Sequence, residues 1–584
     1  MIVFADRIDP MCPRRQIDEL AKRLSDLKNC SEGITSHAAL TSIFIDTAEL
    51  AQGICDGEFD RQGKDTSSPV QEAAMSSVIM LARAVHSSWR RCCARPIAQP
   101  DRPFASLAQQ KLPETVHCRR AEGYAFYAVY PESYLAAGKN LETCTSLQII
   151  GIRSIGLSLA ALVAAAANAN TAFSLRPVGD PFRRKVLVDS AMESLLFTQP
   201  DGAQFAIADE GPGLSGSSFG AVIDLLIAHG VPEQNIHLFP SHPGEPGCAA
   251  SGHQQSRWKR LHRHLGSFEK DILEPKERRR RLDHWFSDII GEPLSPAQDI
   301  SAGRWRGLRY RNPSDWPPAH AQQERRKYLL QTRSGRWLLK FTGLDRCGRG
   351  KFAMARALYE AGFGPEPIAA CHGFIVERWH QAASTAGLAD RERLIAWLAL
   401  YLGFRAKHFA VGSGQGASLA ALADMLVHNG AKSLGTTAAA PLERFRRMCQ
   451  PLSAKVRPVA TDNRLHQWEW LIRDDGRILK TDSIDHCSAH DLIGCQDIAW
   501  DVAGAIVEFA FSASEGEDLA SRVEKVCAQT VSLELIEFFI PCYLAFQLGY
   551  YSLAAGTAIS DAADTRRLQA RANHYREILH AMLV

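Results

Sequence analysis

The sequence predicts a multidomain protein of the α/β and α+β classes, and three observations support this. The chain has 584 residues, which is too long for a single hydrophobic core at ~100–200 residues per domain. Between residues 124 and 247, short apolar runs alternate with helical patterns, as in a parallel sheet covered by helices. After residue 300, strand pairs joined by tight turns precede long helical patterns. The expected layout is a helical N-terminal region at 1–110, a parallel-sheet domain at 111–250, a basic linker at 251–300 and a further domain at 301–584.

Composition excludes several classes of protein. Hydrophobic residues make up 46% of the chain and charged residues 22%, which is typical of folded globular proteins rather than disordered ones. The net charge of +3 gives no overall attraction to nucleic acid or membranes. The 15 cysteines contain no CxxC pair, so neither a zinc ribbon nor a disulfide framework is indicated. The first 15 residues lack the apolar core of a secretion signal, and we expect a cytoplasmic protein.

The N-terminal region has the pattern of helices and no recognisable site. Leu20, Leu24 and Leu27 recur at helical spacing, and similar patterns follow as far as Trp89. His37 and His86 match no ligand motif. A helical cover or an oligomerisation segment is therefore the expectation for this region.

One stretch in the middle of the chain predicts a phosphate site. An apolar run ends in Asp209 and Glu210, and a loop of Gly, Pro and Ser leads into a helix from Phe219 to His229. Two carboxylates at a strand end can accept hydrogen bonds from vicinal hydroxyls. Small residues let backbone N–H groups approach a phosphate at a helix N-terminus. The alternative is an ordinary strand-to-helix turn, in which Asp and Ser serve as caps.

The same stretch resembles the phosphoribosyl-diphosphate (PRPP) motif of type I phosphoribosyltransferases. That motif has an apolar strand, two acids and a Thr/Ser-Gly-x-Thr/Ser loop, although here the second acid is Glu and the spacer contains Gly-Pro-Gly. The resemblance implies phosphoribosyl transfer assisted by Mg²⁺, with Asp209 and Glu210 as catalytic residues. It also implies a 5′-phosphate loop formed by Ser215, Gly216, Ser217 and Ser218.

Two other loops also follow predicted strands, at Gly151–Gly156 and Arg176–Lys185. Because parallel strands place their carboxyl ends at one sheet edge, we expect all three loops to meet there. Cations at that edge would stabilise a departing diphosphate, whereas a solvated basic turn is the alternative. The candidate PRPP ligands in these loops are Arg153, Ser154, Arg176, Arg183 and Arg184.

The C-terminal half contains a second ordered set of polar residues. A hairpin strand ends in Lys340, and Asp462 precedes another hairpin whose second strand leads to Asp482. This order resembles the bilobal aminoglycoside-phosphotransferase branch of the protein-kinase-like fold. The resemblance implies that Lys340 binds nucleotide phosphates, that Glu377 lies beside the adenine and that Asp462 orients an acceptor hydroxyl. Asp482 and Gln467 are then the Mg²⁺ ligands.

The second resemblance has departures. No glycine-rich loop precedes Lys340, and Glu360 is the nearest acid on the following helix that could pair with it. Asp485, His486 and His490 form an alternative metal set, although a structural role for them in the loop is favoured. Two further acids, Asp497 and Asp501, match positions that brace the catalytic loop.

The favoured hypothesis is a bifunctional enzyme of nucleotide or nucleoside metabolism. One half would transfer a phosphoribosyl group from or to PRPP, and the other would transfer a phosphoryl group from ATP to a small hydroxyl compound. The alternative is a regulatory protein that senses PRPP-like and ATP-like ligands without turnover. Expected partners are these small molecules with Mg²⁺, and a homodimer is the candidate assembly. Neither a membrane nor nucleic acid is expected, although RNA binding by the basic linker is a third interpretation.

Overall fold

The computed structural model describes residues 8–94, 103–198, 202–381, 390–488, 493–557 and 562–583. The N-terminal region is helical as predicted, but it also contains a strand pair that the prediction lacked. The two strands pair because residues in Val116–Arg119 alternate between buried and more exposed positions, which suits a half-buried antiparallel ribbon. The elements are β1 (Ile8–Met11), α1 (Pro13–Asp26), α2 (Ile34–Gln62), α3 (Pro69–Arg90), α4 (Ala105–Ala108), β2 (Val116–Arg119), α5 (Glu122–Phe126) and α6 (Pro131–Gly138).

The predicted parallel sheet is confirmed. Its strand order is β4-β3-β5-β6-β7, and every neighbouring pair is parallel. Its last strand lies inside the predicted linker 251–300, so the sheet extends beyond residue 250. The elements are β3 (Leu147–Ile152), α7 (Gly156–Ala166), β4 (Phe173–Leu175), α8 (Ser190–Phe197), β5 (Gln204–Ala208), α9 (Ser217–Ala228), β6 (Ile236–Phe239), α10 (Gly252–Arg260) and β7 (His262–Arg263).

The order of these strands positions the predicted phosphate site. The chain places β4 on one side of β3 and β5 on the other, so the loops after β3 and β5 diverge above a crevice where ligands of such sheets bind. Gly151 pairs with Ala208 in the register, which puts Arg153 and Asp209 at the same edge. The loops after β3 and β5 therefore start from the same edge of the sheet, as expected.

The C-terminal half begins with an antiparallel sheet of order β11-β12-β10-β9-β8. The predicted hairpin of β9 and β10 and the strand from residue 373 to 379 are both present. The elements are α11 (Ser287–Ile290), β8 (Gln298–Asp299), α12 (Arg306–Arg309), β9 (Lys327–Thr332), β10 (Gly335–Phe341), α13 (Arg346–Glu360), β11 (Pro367–Cys371) and β12 (Phe374–Arg378).

Helices with short strand pairs form the rest of the chain. One helix among the described residues, within Leu533–Gly556, is long and apolar enough to cross a membrane by length and composition, and 78% of its apolar window is buried inside the protein. The elements are α14 (Arg391–His408), α15 (Leu419–Leu434), α16 (Thr436–Ala439), α17 (Arg444–Ser453), β13 (Pro458–Val459), β14 (Trp470–Ile472), β15 (Ile478–Lys480), β16 (Gln496–Asp497), α18 (Ala499–Glu508), α19 (Ala513–Cys527), α20 (Leu533–Thr557) and α21 (Ala562–Ala581).

One apolar core joins elements that the sequence assigned to separate regions. It contains the inner faces of α2 and α3, all of the alanine-rich helix α7, and side chains of the antiparallel sheet such as Leu339 and Phe374. A second core lies on the opposite face of the parallel sheet, and a third fills the C-terminal helices. The domain boundaries at 110, 250 and 300 stay predictions, but packing is continuous across them.

Candidate functional site

A cleft with a cavity volume of about 190 Å³ lies between the antiparallel sheet and the region around the β14–β15 hairpin. Leu338, Lys340 and Glu377 line it from the sheet, and Glu469 and Asp482 line it from the region around the β14–β15 hairpin. Aromatic walls and charged groups therefore face one space. Concave sites with few convergent polar groups are the usual binding sites for small molecules.

A buried charge network crosses this cleft. The ammonium group of Lys340, on β10, pairs with Asp482, and it lies 2.5 Å from a carboxylate oxygen of Asp485. Lys327 lies 3.6 Å from Asp482, and Lys351 lies 2.8 Å from Asp485. Burial alone would raise the pKa of both acids, but the adjacent lysines outweigh it and hold each pKa below its ordinary value. Both carboxylates are therefore charged at neutral pH.

The helix acid that was the candidate partner of Lys340 lies elsewhere. Glu360 is exposed near the end of α13 and pairs with Arg356 on the same helix, at 3.2 Å. The residue of α13 that reaches the network is Lys351, whose ammonium group also donates to the carbonyl of Thr342 at 2.8 Å. Two lysines thus share Asp485, an arrangement that strand and helix patterns alone did not indicate.

The structure brings together a different metal set from the one predicted. Carboxylate oxygens of Glu469 and Asp482 and a ring nitrogen of His486 lie within 4.8 Å of one another. Gln467 is exposed, and its amide donates to the carbonyl of Glu508 at 3.0 Å. His490, from the alternative set, lies outside the described residues.

Glu469 was missed although the sequence contained a signal for it. It directly precedes β14, and the register pairs Trp470 with Lys480, so the ends of the hairpin bring Glu469 close to Asp482. The turn at Asp474-Asp475-Gly476 joins the two strands of this hairpin. Burial raises the pKa of Glu469 to about 7, while Lys480 acts to lower it.

Asp462 is held away from the cleft. Its side chain has no exposed area, the hydroxyl of Tyr401 donates to it, and the ammonium group of Lys480 lies 3.4 Å away. As expected, Asp501 braces this loop, since its carboxylate accepts the backbone N–H groups of Asp462 and Asn463 at 2.7 and 2.8 Å. The candidate hydroxyl-orienting residue is thus rigidly positioned and already hydrogen-bonded.

Glu377 lies on the wall of the cleft. It belongs to β12 and pairs with Leu338 of β10, so its side chain faces the same space as Lys340. Burial raises the pKa of Glu377 to about 7, and the charge of Lys340 acts to lower it. A carboxyl group of this kind can be protonated near neutral pH and donate a hydrogen bond.

A long segment ahead of β9 covers one side of the cleft. The connection between β8 and β9 spans residues 300–326, and Trp305, Arg309 and His320 from it line the cleft. Arg306 fastens the segment to α21 through two hydrogen bonds of 2.8 Å to Asp564. Its side chain is only 3% exposed, so this attachment is part of the packed structure.

The edge of the parallel sheet carries the second candidate site. Asp209 and Glu210 follow β5 and are half-buried. Burial raises the pKa of Asp209 to about 7, while hydrogen bonding from the backbone and the charge of Arg184 act to lower it. The backbone carbonyl of Asp209 accepts a hydrogen bond of 2.7 Å from the hydroxyl of Tyr134, which fixes the strand end.

The predicted phosphate loop, Ser215–Ser218 (the serine loop), leads into α9 at this edge, and the helix begins two residues earlier than predicted, at Ser217. Gly216 adopts a left-handed conformation with φ of 66° immediately before the helix, which permits the tight entry. The hydroxyls of Ser215 and Ser217 both donate to the carbonyl of Pro181, at 3.1 and 2.6 Å. The neighbouring Arg176–Lys185 loop therefore lies over the serine loop, and Ser218 is half-buried beside it.

Acids hold two of the predicted arginines, and Arg184 donates to the carbonyl of Pro177 at 3.1 Å. Arg153 pairs with Asp65 and lies 3.1 Å from Asp56, so acids of the N-terminal region hold it. Arg176 likewise lies 2.8 Å from Asp60. Ser154 lines a cavity of about 10 Å³ next to α2. The remaining arginines, Arg183 and Arg184, are exposed.

Comparisons with known proteins give structural likenesses only. No family model matches the chain, and no curated protein matches it. The chain is similar in structure to choline kinase LicA from Streptococcus pneumoniae, with 15% identity and a TM-score of 0.31 over 43% of this chain and 89% of that one. It is also similar to spectinomycin phosphotransferase in complex with ADP and spectinomycin, with 12% identity and a TM-score of 0.33 over 51% of this chain and 93% of that one. A third similar structure is a choline/ethanolamine kinase family protein from Mesorhizobium loti, with 15% identity and a TM-score of 0.28 over 44% of this chain and 90% of that one.

Proposed function

We propose that the cleft binds ATP with Mg²⁺ and transfers a phosphoryl group to a small hydroxyl compound. The observation that carries this proposal is the meeting of Lys340, from the third strand of the antiparallel sheet, with Asp482, from the loop after β15. Phosphoryl transfer depends on cations and metal-binding carboxylates arranged around the phosphates rather than on covalent chemistry by the protein.

Each group in the cleft has a place in this proposal. Lys340 and Lys327 bind phosphate oxygens. These oxygens would replace the carboxylate of Asp482, which pairs with both lysines in the structure. Glu469 and Asp482 fit Mg²⁺ because it prefers oxygen ligands and the two carboxylates lie within 4.8 Å of each other. When bound, the ion supplies charge neutralisation of the phosphates. The apolar side of the cleft, at Leu338 and Trp379, suits an adenine ring.

The test is transfer from radiolabelled ATP to a panel of small hydroxyl compounds. Wild-type protein is expected to form a labelled product and ADP with at least one compound. Asp482→Asn is expected to remove Mg²⁺-dependent transfer, whereas Asp475→Asn, at the exposed hairpin turn, serves as the matched control. Saturable ATP binding without product from any compound would refute transfer and leave binding alone.

That outcome corresponds to a second candidate function, sensing of ATP without turnover. The specific observation in its favour is the burial of Asp462, whose carboxylate is held by Tyr401 and approached by Arg405 at 3.9 Å. A residue that orients a substrate hydroxyl must reach the substrate. In a sensor, Asp462 only maintains the loop, and neither wild-type protein nor Tyr401→Phe would consume ATP.

We further propose that the edge of the parallel sheet binds a 5-phosphoribosyl group and exchanges diphosphate with a base-like nucleophile there. The support is the succession of Asp209, Glu210 and the serine loop at the crevice beside β3. Exposed Arg184 is the arginine best placed to contact diphosphate, because Arg153 is bound to Asp56 and Asp65. Mg²⁺ would be held mainly by substrate oxygens, with the two acids on the ribose hydroxyls.

The test uses PRPP separately from ATP. Asp209→Asn combined with Glu210→Gln is expected to abolish PRPP binding and leave ATP binding unchanged. The matched control is Asp224→Asn on α9, an exposed acid that faces Arg257. Equal losses at both ligands in the double variant would contradict two separate sites, and unchanged PRPP binding would contradict the ribose site.

A further inference from the structure

Two histidines and a glutamate from three separate segments meet inside the protein, outside both candidate sites. They are His37 on α2, Glu132 on α6 and His372 in the turn between β11 and β12. The three side chains have no exposed area. Charged or polar groups that are buried this deeply need specific partners, because the surrounding core cannot solvate them.

The spacing of the three side chains suits a metal ion. The Nε2 atom of His37 lies 2.8 Å from Oε1 of Glu132, and the Nε2 atom of His372 lies 3.2 Å from the same oxygen. All three ligand atoms lie within 4.8 Å of one another. Two ligand atoms at ~2.0–2.2 Å from one Zn²⁺ are roughly 2.8–3.6 Å apart at angles between about 90° and 110°.

Hydrogen bonding between the three residues leaves polar atoms unused. Oε2 of Glu132 and Nδ1 of His372 are buried without a hydrogen-bond partner among the described residues. A carboxylate oxygen left unpaired in a core costs free energy, and coordination to a cation would use it. Nδ1 of His37 lies 2.9 Å from the hydroxyl of Ser88, the kind of outer partner that orients a metal-binding imidazole.

The surroundings indicate a closed structural site rather than a catalytic one. The ring of Trp89 lies 5.1 Å from that of His37, and the ring of Tyr130 lies 5.2 Å from that of His372. These aromatic side chains separate the cluster from solvent. Two imidazoles with one carboxylate match the nitrogen and oxygen ligands that Zn²⁺ takes.

We propose that His37, Glu132 and His372 bind one Zn²⁺ ion, which fastens α2 and α6 to the antiparallel sheet. Both oxygens of Glu132 complete a four-donor set with the two Nε2 atoms. The ion enters during folding, because the ligands come from segments that meet only in the folded chain. Its place is structural, since it joins the N-terminal helices to the sheet that carries Lys340.

The experiment measures metal in the full-length chain. Protein expressed in minimal medium with Zn²⁺ and purified in metal-free buffer is expected to retain about one Zn²⁺ per chain. Glu132→Gln and His372→Gln are expected to lose it. His86→Gln is the matched control and should retain the ion, because His86 is a buried histidine outside the cluster, with its Nδ1 atom 3.3 Å from the carbonyl oxygen of Ala165.

Two further measurements keep the outcome decisive. Wild-type protein grown with Co²⁺ is expected to show the visible absorption of low-coordinate Co²⁺, which requires no variant to fold. Asp482→Asn is expected to keep its Zn²⁺, which separates this cluster from the cleft. Wild-type protein without bound Zn²⁺ and without the Co²⁺ absorption would overturn the proposal and leave a metal-free ion pair. Loss of Zn²⁺ in Asp482→Asn but not in His372→Gln would also overturn it.

Discussion

Replacing Lys340 with Met tests the charge network on which the proposed nucleotide site depends. The side chain of Lys340 is 4% exposed, and its ammonium group contacts both Asp482 and Asp485. Removing one partner of a buried ion pair costs about 3–5 kcal/mol, because a charge is left without its counterpart. Lys327 and Lys351 remain near the two carboxylates and offset part of the loss, so we expect about 3 kcal/mol, at the low end of that range.

Two assays report on this variant. The free energy of unfolding is measured by urea denaturation with tryptophan fluorescence, and ATP binding is measured by calorimetry with Mg²⁺ present. The matched control is Lys455→Met, since Lys455 pairs with Glu534 at the surface, where the two side chains are 45% and 61% exposed. An exposed pair contributes about 0–1 kcal/mol, so the control should stay within that loss and bind ATP normally.

The result that would refute this reasoning is a small loss. If Lys340→Met destabilised the protein no more than Lys455→Met, the network in the cleft would be solvated and not structural. If ATP affinity were unchanged in a folded Lys340→Met protein, Lys340 would not bind phosphate, and the proposed nucleotide site would lose its principal support.

Three further predictions concern the same half of the chain. Because the pKa of Glu469 is raised to about 7, the affinity of the cleft for Mn²⁺ should fall about tenfold per pH unit below pH ~7. Calorimetry of Glu469→Gln should show weak Mn²⁺ binding without this pH dependence. If the variant kept the same dependence on pH, Glu469 would not be the titrating group. Arg306→Lys loses the two hydrogen bonds to Asp564 and should release nucleotide faster in stopped-flow experiments. Arg304→Lys, at an exposed position, should not. Equal release rates for the two variants would mean that the segment of residues 300–326 does not retain nucleotide. Asp462→Asn should lower kcat by ~10²–10⁴ with ATP affinity unchanged if this residue orients the hydroxyl; an unchanged kcat would remove it from the mechanism.

The pH dependence of stability follows from the shifted carboxyl groups. Burial raises the pKa of Glu377 to about 7, so the folded state holds this proton more tightly than the unfolded state does. The contribution of Glu377 to the free energy of unfolding is therefore most favourable below the pKa of the unfolded state, and it is lost as pH rises through about 7. Asp482 has the opposite sign, since its pKa is lowered in the folded protein. Its contribution is present above the unfolded pKa and is lost in acid.

The local sequence determined the main elements of this protein, although not the β1–β2 pair, and several strand-end residues. Alternating apolar runs and helical spacing predicted the parallel sheet, the hairpin of β9 and β10 and the C-terminal helices. Chain order also sufficed to place Asp209 at the same sheet edge as Arg153, because parallel strands end on one side. The turn at Asp474-Asp475-Gly476 likewise predicted the hairpin before Asp482.

Only the tertiary structure decided which charges meet. Arg153 was predicted to bind diphosphate, yet Asp56 and Asp65 from a distant helical region hold it. Lys340 pairs with Asp485 rather than with Glu360, and His37 and His372, from remote parts of the chain, both contact Glu132 in the core. Sequence periodicity predicts the face of an element on which a side chain lies. A buried charged group needs a partner, however, and the packing of elements that are remote in sequence determines which partner is near it. That choice depends on the whole fold, so no local pattern contained it.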